Sequence, residues 1–247
     1  QAARDAGNNA KAAFAETGTL PYLARKQDAG HVRISVYATR LPTGVFPANQ
    51  TSRALDVIGK VYPAEPLTDV LSGALMNAGP IIHPPLIIMN AGPLEHFDEW
   101  DIHNEGTQPS IRRTTDALDA ERMALREALG YGAPHFPLAD HYDDARDEWM
   151  YGNASHERLT DSGDWRENID LLSHRYMIED TRLGLSLMAS LGQLAGLDLP
   201  LINGFLAIGS AITGTDFKAT GRTLASLGLD GFSREELAAL LQSGFDA

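Results

Sequence analysis

The chain has 247 residues, 43% of them hydrophobic and 21% charged, the make-up of a globular protein of one or two domains and not of a disordered one. Thirty-three acidic residues against 20 basic ones give a formal net charge of −13, which leaves no broad basic surface for nucleic acid or an anionic membrane. Cysteine is absent, so disulfides, thiolate catalysis and thiolate metal sites are excluded, in keeping with a cytoplasmic address.

The first residues read as a short helix tail, Gln1 to Ala6, and a turn at Gly7-Asn8-Asn9, without the basic end and apolar block of a signal peptide. The start at Gln1 rather than methionine suggests a fragment or a cleaved product. Ala12 to Thr17 reads as a strand. His31 to Ala38 reads as a second one, because Val32, Ile34 and Val36 alternate with polar neighbours. LPTGVFPANQT then reads as turns, and Thr51 to Val61 as an amphipathic helix with Leu55 and Ile58 on one face. These first ~70 residues are α/β in character but too few for a complete doubly wound domain.

After Pro66 the period-2 pattern stops, which sets a boundary near Leu67. Asp69 to Ala78 reads as a helix ended by Gly79-Pro80, and the next helix starts at Pro84 or Pro85, since proline suits a first helical turn. Ser110 caps a long helix in which Ile111, Leu118 and Leu125 recur at heptad spacing, with Gly130 ending it. Asp140 to Asp164 is acidic and aromatic with little period, a loop with short helical pieces. Ile169 to Leu197 reads as helical, Pro200 opens a helix to about Thr213, and Ser233 with Glu236 makes a capping box for the last one. Leu199 to Thr213 is the most apolar window but falls short of the ~20 residues of a spanning helix. The fold class is therefore mainly α, an all-helical C-terminal bundle domain over residues 69–247 preceded by a partial α/β segment over residues 1–68.

Chemistry has three places to reside. In IIHPPLII, His83 precedes two prolines; Pro84 disfavours helical geometry for the residue before it, so His83 is expected at a helix break beside a helix N-terminus. The positive end of that helix dipole would favour a neutral imidazole. A hydrogen-bonded core histidine is the alternative. In HRYMIED, Asp180 shares a helical face with Leu187, Met188 and Leu191, so it points at the core and requires a cationic or imidazole partner. Arg175 lies five residues earlier, about 140° around an ideal helix, and meets Asp180 only if it precedes the first turn or reaches it through substrate; otherwise it pairs with Glu179 on a solvated helix start. A metal reading of His96, Asp98, Glu99 and His103, or of His135 and His141, lacks diagnostic ligand spacing, and no metal is expected. Neither GxGxxG nor GxxxxGK[ST] occurs, so no phosphate cradle is recognisable.

Five ordered blocks resemble a known family: AETGTLPYLAR, MNAGPIIHPPLIIMNAG, EGTQPSIRRTTDALDAER, RYMIEDTRLGL and TDFKATGRTLASLGL. The chain looks like the C-terminal two-thirds of an opine dehydrogenase of the octopine/nopaline dehydrogenase family. The resemblance implies an enzyme that uses NAD or NADP to condense an L-amino acid with a 2-oxo acid and reduce the imine. Its architecture would be a Rossmann domain, here reduced to its last part, followed by a helical domain, with a homodimer through the helices as one arrangement. The site residues carried over are His83 as acid/base, Asp180 as the group that orients it, and Arg175 and Asn77 as substrate-binding residues. Gly79 stands four residues before His83 where the family pattern leads one to expect asparagine, and the glycine-rich first βα unit does not occur, so this chain alone is expected to bind cofactor weakly and to be inactive. A dehydrogenase of a 2-keto or β-hydroxy acid on the same architecture, or a non-catalytic helical module, remain the rival readings.

Overall fold

Five strands lead the described part of the chain: β1 (Phe14–Thr17), β2 (Tyr22–Asp28), β3 (His31–Tyr37), β4 (Leu41–Phe46) and β5 (Ala64–Pro66), with α1 (Thr51–Ile58) between the last two. The computed structural model describes residues 12–143, 150–152 and 165–245, so the expectations for residues 1–9 and for most of the 140–164 loop lie outside the described residues. β4, expected as a turn, is instead the buried centre of a sheet in the order β1-β4-β5, antiparallel to β1 and parallel to β5. Its Gly44 has a packing cause: a Cβ there would run into the carbonyl of Asp69, so the loop ahead of the next helix lies directly on the strand.

β2 and β3 form a separate antiparallel hairpin. The expected alternation of Val32, Ile34 and Val36 is broken by a register shift, since Leu23 pairs with Val36 but Ala24 pairs with Ile34. That bulge turns Val36 inward, 3% exposed, and leaves Val32 and Ile34 outward, 63% and 38% exposed.

The helices follow in order: α2 (Val70–Ala74), α3 (Gly79–Met89), α4 (Ala91–His96) and α5 (Pro109–Ala128), then a π-helix (Tyr176–Leu185) that continues as α6 (Ser186–Ala195), then α7 (Pro200–Thr213), α8 (Phe217–Thr220) and α9 (Arg234–Ser243). A two-residue strand pair, Trp100–Asp101 with Arg166–Glu167, interrupts them. The capping box of α9 forms as expected. α5 starts one residue before Ser110, with Pro109 in its first turn and Gln108 as an uncapped N-cap. Ile111, Leu118 and Leu125 all face the core.

The break expected at His83 does not occur. α3 runs from Gly79 straight through Pro84 and Pro85, leaving the Pro80 and Ile81 carbonyls without helical donors. Packing outweighs that loss: Ile81, Leu86 and Ile87 are at most 2% exposed. The stretch Val70–Met89 is long and apolar enough by composition to span a bilayer, yet 61% of it is buried and it is two helices with a gap.

The buried charges of α5 are hydrogen-bonded. On α5, Arg122 donates to Asp119 at 2.5 Å and to the Leu75 carbonyl at 3.1 Å, and Arg126 donates to the Ser72 carbonyl at 2.7 Å. These bonds hold α2 and the turn after it, from which α3 begins. Glu121 takes the Leu201 and Ile202 amides at 2.7 and 2.9 Å, capping the N-terminus of α7 from a neighbouring helix.

Candidate active site

α3 and the π-helix pack face to face, and small residues set how close they come. A Cβ at Gly184 would stand 2.6 Å from Pro80 Cγ, and one at Gly79 would stand 2.5 Å from Asp180 Oδ1. Beside their contact lies a cavity of about 400 Å³, bordered also by the β1–β2 connection and the start of α5. His83, Asp180, Arg175 and Asn77 all line it.

The π-helix explains why Arg175 and Asp180 share that cavity. In an α-helix residues five apart diverge by about 140°, but i→i+5 bonding brings them onto one face. The side chain of Thr181 follows the same step, its hydroxyl donating to the Tyr176 carbonyl at 2.7 Å. No ion pair joins Arg175 to Glu179 among the described residues, so the surface alternative does not form.

His83 Nδ1 and Asp180 Oδ2 are 2.8 Å apart, with 14% and 16% of the two side chains exposed. The bond commits Nδ1 and leaves Nε2 for whatever enters the cavity. Burial holds the imidazole below its ordinary pKa, the Asp180 hydrogen bond and charge oppose this, and Arg175 adds a smaller downward push. The neutral state expected from a helix dipole thus has a different cause, desolvation inside a helix, since His83 does not sit at a helix end. Asn77 is exposed; its Oδ1 accepts from Gly79 N at 2.9 Å, which leaves the amide NH₂ to face the cavity.

Several cavity residues were not singled out by sequence. Tyr176, 2% exposed, stacks on His83 with ring centroids 3.6 Å apart and planes 9° apart. Its hydroxyl lies 2.8 Å from His103 Nε2, and burial pushes the phenol up to about 12. His103, weighed from sequence only as a metal ligand, packs against Trp165 at 4.3 Å. Thr19, in the β1–β2 connection, and Tyr151 share a 2.7 Å hydroxyl bond, and burial raises the Glu16 carboxyl. The signal for Tyr176 was its place beside Arg175; nothing in the sequence brings residues 103, 151 and 165 to the same cavity.

The model of the NAD/NADP octopine/nopaline dehydrogenase alpha-helical domain matches residues 66–213. An opine dehydrogenase of Arthrobacter sp. (strain 1C) is 27% identical over 226 residues, covering 88% of this chain and 60% of that protein. Solved structures of octopine dehydrogenase, one with NADH and agmatine and one with NADH and pyruvate, superpose with TM-scores of 0.63 and 0.62 at 15% identity. Each covers 93% of this chain and 64% of the other, so the chain spans just under two-thirds of the length of these relatives.

Proposed function

Since this chain belongs to the octopine/nopaline dehydrogenase family, we propose that it is the substrate-binding part of an NAD(P)H-dependent opine dehydrogenase, which joins an L-amino acid to a 2-oxo acid and reduces the resulting imine. On this reading residues 1–68 are the last part of a Rossmann domain and residues 69–247 the substrate domain. The parallel β4–β5 pair with α1 between its strands supports the first assignment, and the run of helices after residue 69 the second.

The observation that carries the proposal is the constellation between α3 and the π-helix: a histidine with one nitrogen bound to a half-buried carboxylate, and a guanidinium lining the same cavity. In opine oxidation His83 Nε2 takes the proton from the secondary amine, and Asp180 stabilises the imidazolium and fixes its tautomer. In the forward direction the same nitrogen returns the proton. Arg175 grips a substrate carboxylate with two parallel hydrogen bonds, and the Asn77 amide offers a further donor. The cofactor supplies the hydride. Thr17, Thr19 and Leu20 border the cavity with hydroxyls and an apolar surface that suit its nicotinamide end.

The test is NADH oxidation by the protein that contains this chain, with amino acids and 2-oxo acids supplied singly and together. Turnover that requires both supports the proposal; equal turnover with a 2-oxo acid alone would overturn it in favour of a hydroxy-acid dehydrogenase. In the same assay Arg175→Lys should weaken use of the 2-oxo acid by ~1 to 3 kcal/mol, because an ammonium cannot replace the paired charge-assisted bonds. Use of the cofactor should be little changed.

A further inference from the structure

Asp180 fixes His83 at one edge only. A single hydrogen bond at Nδ1 sets the direction of the ring but leaves it able to tilt about that bond. The missing constraint is supplied by Tyr176, whose ring lies 3.6 Å from the imidazole and within 9° of parallel. The same ring lies within cation–π range of Arg175, whose Cζ is 5.2 Å from its centroid. Tyr176 is itself held: it is 2% exposed, it opens the π-helix, and its hydroxyl bonds His103 Nε2, whose ring meets Trp165. His174 closes a third side, edge-on at 4.4 Å.

We infer that Tyr176 is a positioning residue whose ring, locked by its burial and by the rings packed around it, holds the His83 imidazole and the Arg175 guanidinium in one fixed arrangement. Tyr176 can do this because it follows Arg175 directly at the start of the π-helix and packs its ring against His83 on α3. The inference deepens the proposed reading of His83 and Arg175 and rests on it for its functional meaning; the geometry it asserts can be tested without catalysis.

Aromatic rings shift protons stacked above them upfield, so in spectra of this chain the His83 ring protons and the Arg175 side-chain protons should lie upfield of their ordinary positions. Tyr176→Phe keeps the ring and should keep both shifts. Tyr176→Leu should abolish both and weaken calorimetrically measured pyruvate binding by roughly five- to thirtyfold, the equivalent of ~1 to 2 kcal/mol of lost stacking and cation–π contact, while Tyr176→Phe stays within about twofold of the unaltered chain. His83 protons at ordinary positions in the unaltered chain would overturn the inference without any variant, as would a Phe variant that behaves like the Leu variant. If the unaltered chain binds no pyruvate, the 2-oxo acid reading is what fails, and the ring-proton shifts alone decide the role of Tyr176.

Discussion

The helical part of this protein buries charge in two ways, and the contrast separates support from chemistry. On α5, Asp119, Arg122 and Arg126 are at most 3% exposed, and their bonds go to protein: Arg122 to Asp119 and to the Leu75, His135 and Phe136 carbonyls, Asp119 also to the Leu138 amide. In the cavity, His83 and Asp180 bond each other through one atom apiece, keep 14% and 16% exposure, and leave His83 Nε2 uncommitted by that bond. A network with every valence used can only hold the fold. A network with valences left over can bind.

The contrast breaks most sharply if the α5 network proves dispensable. Asp119→Ala strands a guanidinium that is 2% exposed, and loss of one partner of a buried pair costs ~3 to 5 kcal/mol. Urea unfolding should show that loss; a change below ~1 kcal/mol would mean that the arginines are satisfied by carbonyls alone. The cavity should behave in the opposite way. Asp180→Asn keeps the volume, so unfolding should barely change, while turnover in the active protein falls by roughly 10² or more. His83→Ala should add little to that loss, because the two residues act as one unit. Full multiplication of the two effects would dissolve the pair.

The same division governed what the sequence could reveal. α5, α7 and α9 are regular helices: α7 and α9 lie where a proline start and a capping box put them, and α5 follows its apolar spacing although it starts ahead of the Ser110 expected to cap it. The site is built from departures that sequence rules penalise. Pro84 and Pro85 read as a helix start because proline removes a donor, yet burial of the surrounding isoleucines and leucine carries α3 through them. Arg175 and Asp180 read as divergent because the α-helical angle was assumed, and no residue type marks the switch to i→i+5 bonding. β4 read as a turn because it contains Pro42 and Gly44 and is followed by Pro47, when the glycine answers to the Asp69 carbonyl across the fold. His83 and Asp180 were paired by family resemblance; their proximity is a property of helix packing between residues 97 positions apart.

Gly79 sharpens the comparison at the point where α3 touches the site. A methyl group there would stand 2.5 Å from Asp180 Oδ1, and the atom that must give way is the tip of a side chain with open volume beside it. Stability of Gly79→Ala should therefore stay within ~0.5 kcal/mol, as for a site that can relax. The carboxylate, however, must leave its place opposite His83. Turnover should fall roughly tenfold, within the ~10² that a 1 Å misplacement can cost. A large loss of stability with the dyad intact would instead make Gly79 a packing residue.

The smallest effects should come from two half-buried histidines, one in each network. Burial lowers the pKa of both His83 and His135. The next influence differs in sign: the Asp180 bond pulls His83 back up, whereas Arg126 pushes His135 further down. In titrations followed by NMR, Asp180→Asn should therefore lower the His83 midpoint and leave that of His135 unmoved. The sign for stability follows from linkage. Both groups have folded values below the ordinary imidazole value of about 6.5, so below that pH the unfolded chain binds more protons and stability rises with pH. Their contribution is fully present above about 6.5, falls away as the pH drops through that value, and stops falling only once the folded histidines protonate. Urea midpoints measured between pH ~8 and ~5 should drop toward the acid end, and in Asp180→Asn the drop attributable to His83 should extend to lower pH because its folded value is lower. Midpoints that stay flat across this range, with both rings titrating near 6.5, would show that neither histidine is held in a desolvated place and would remove the electrostatic half of the comparison.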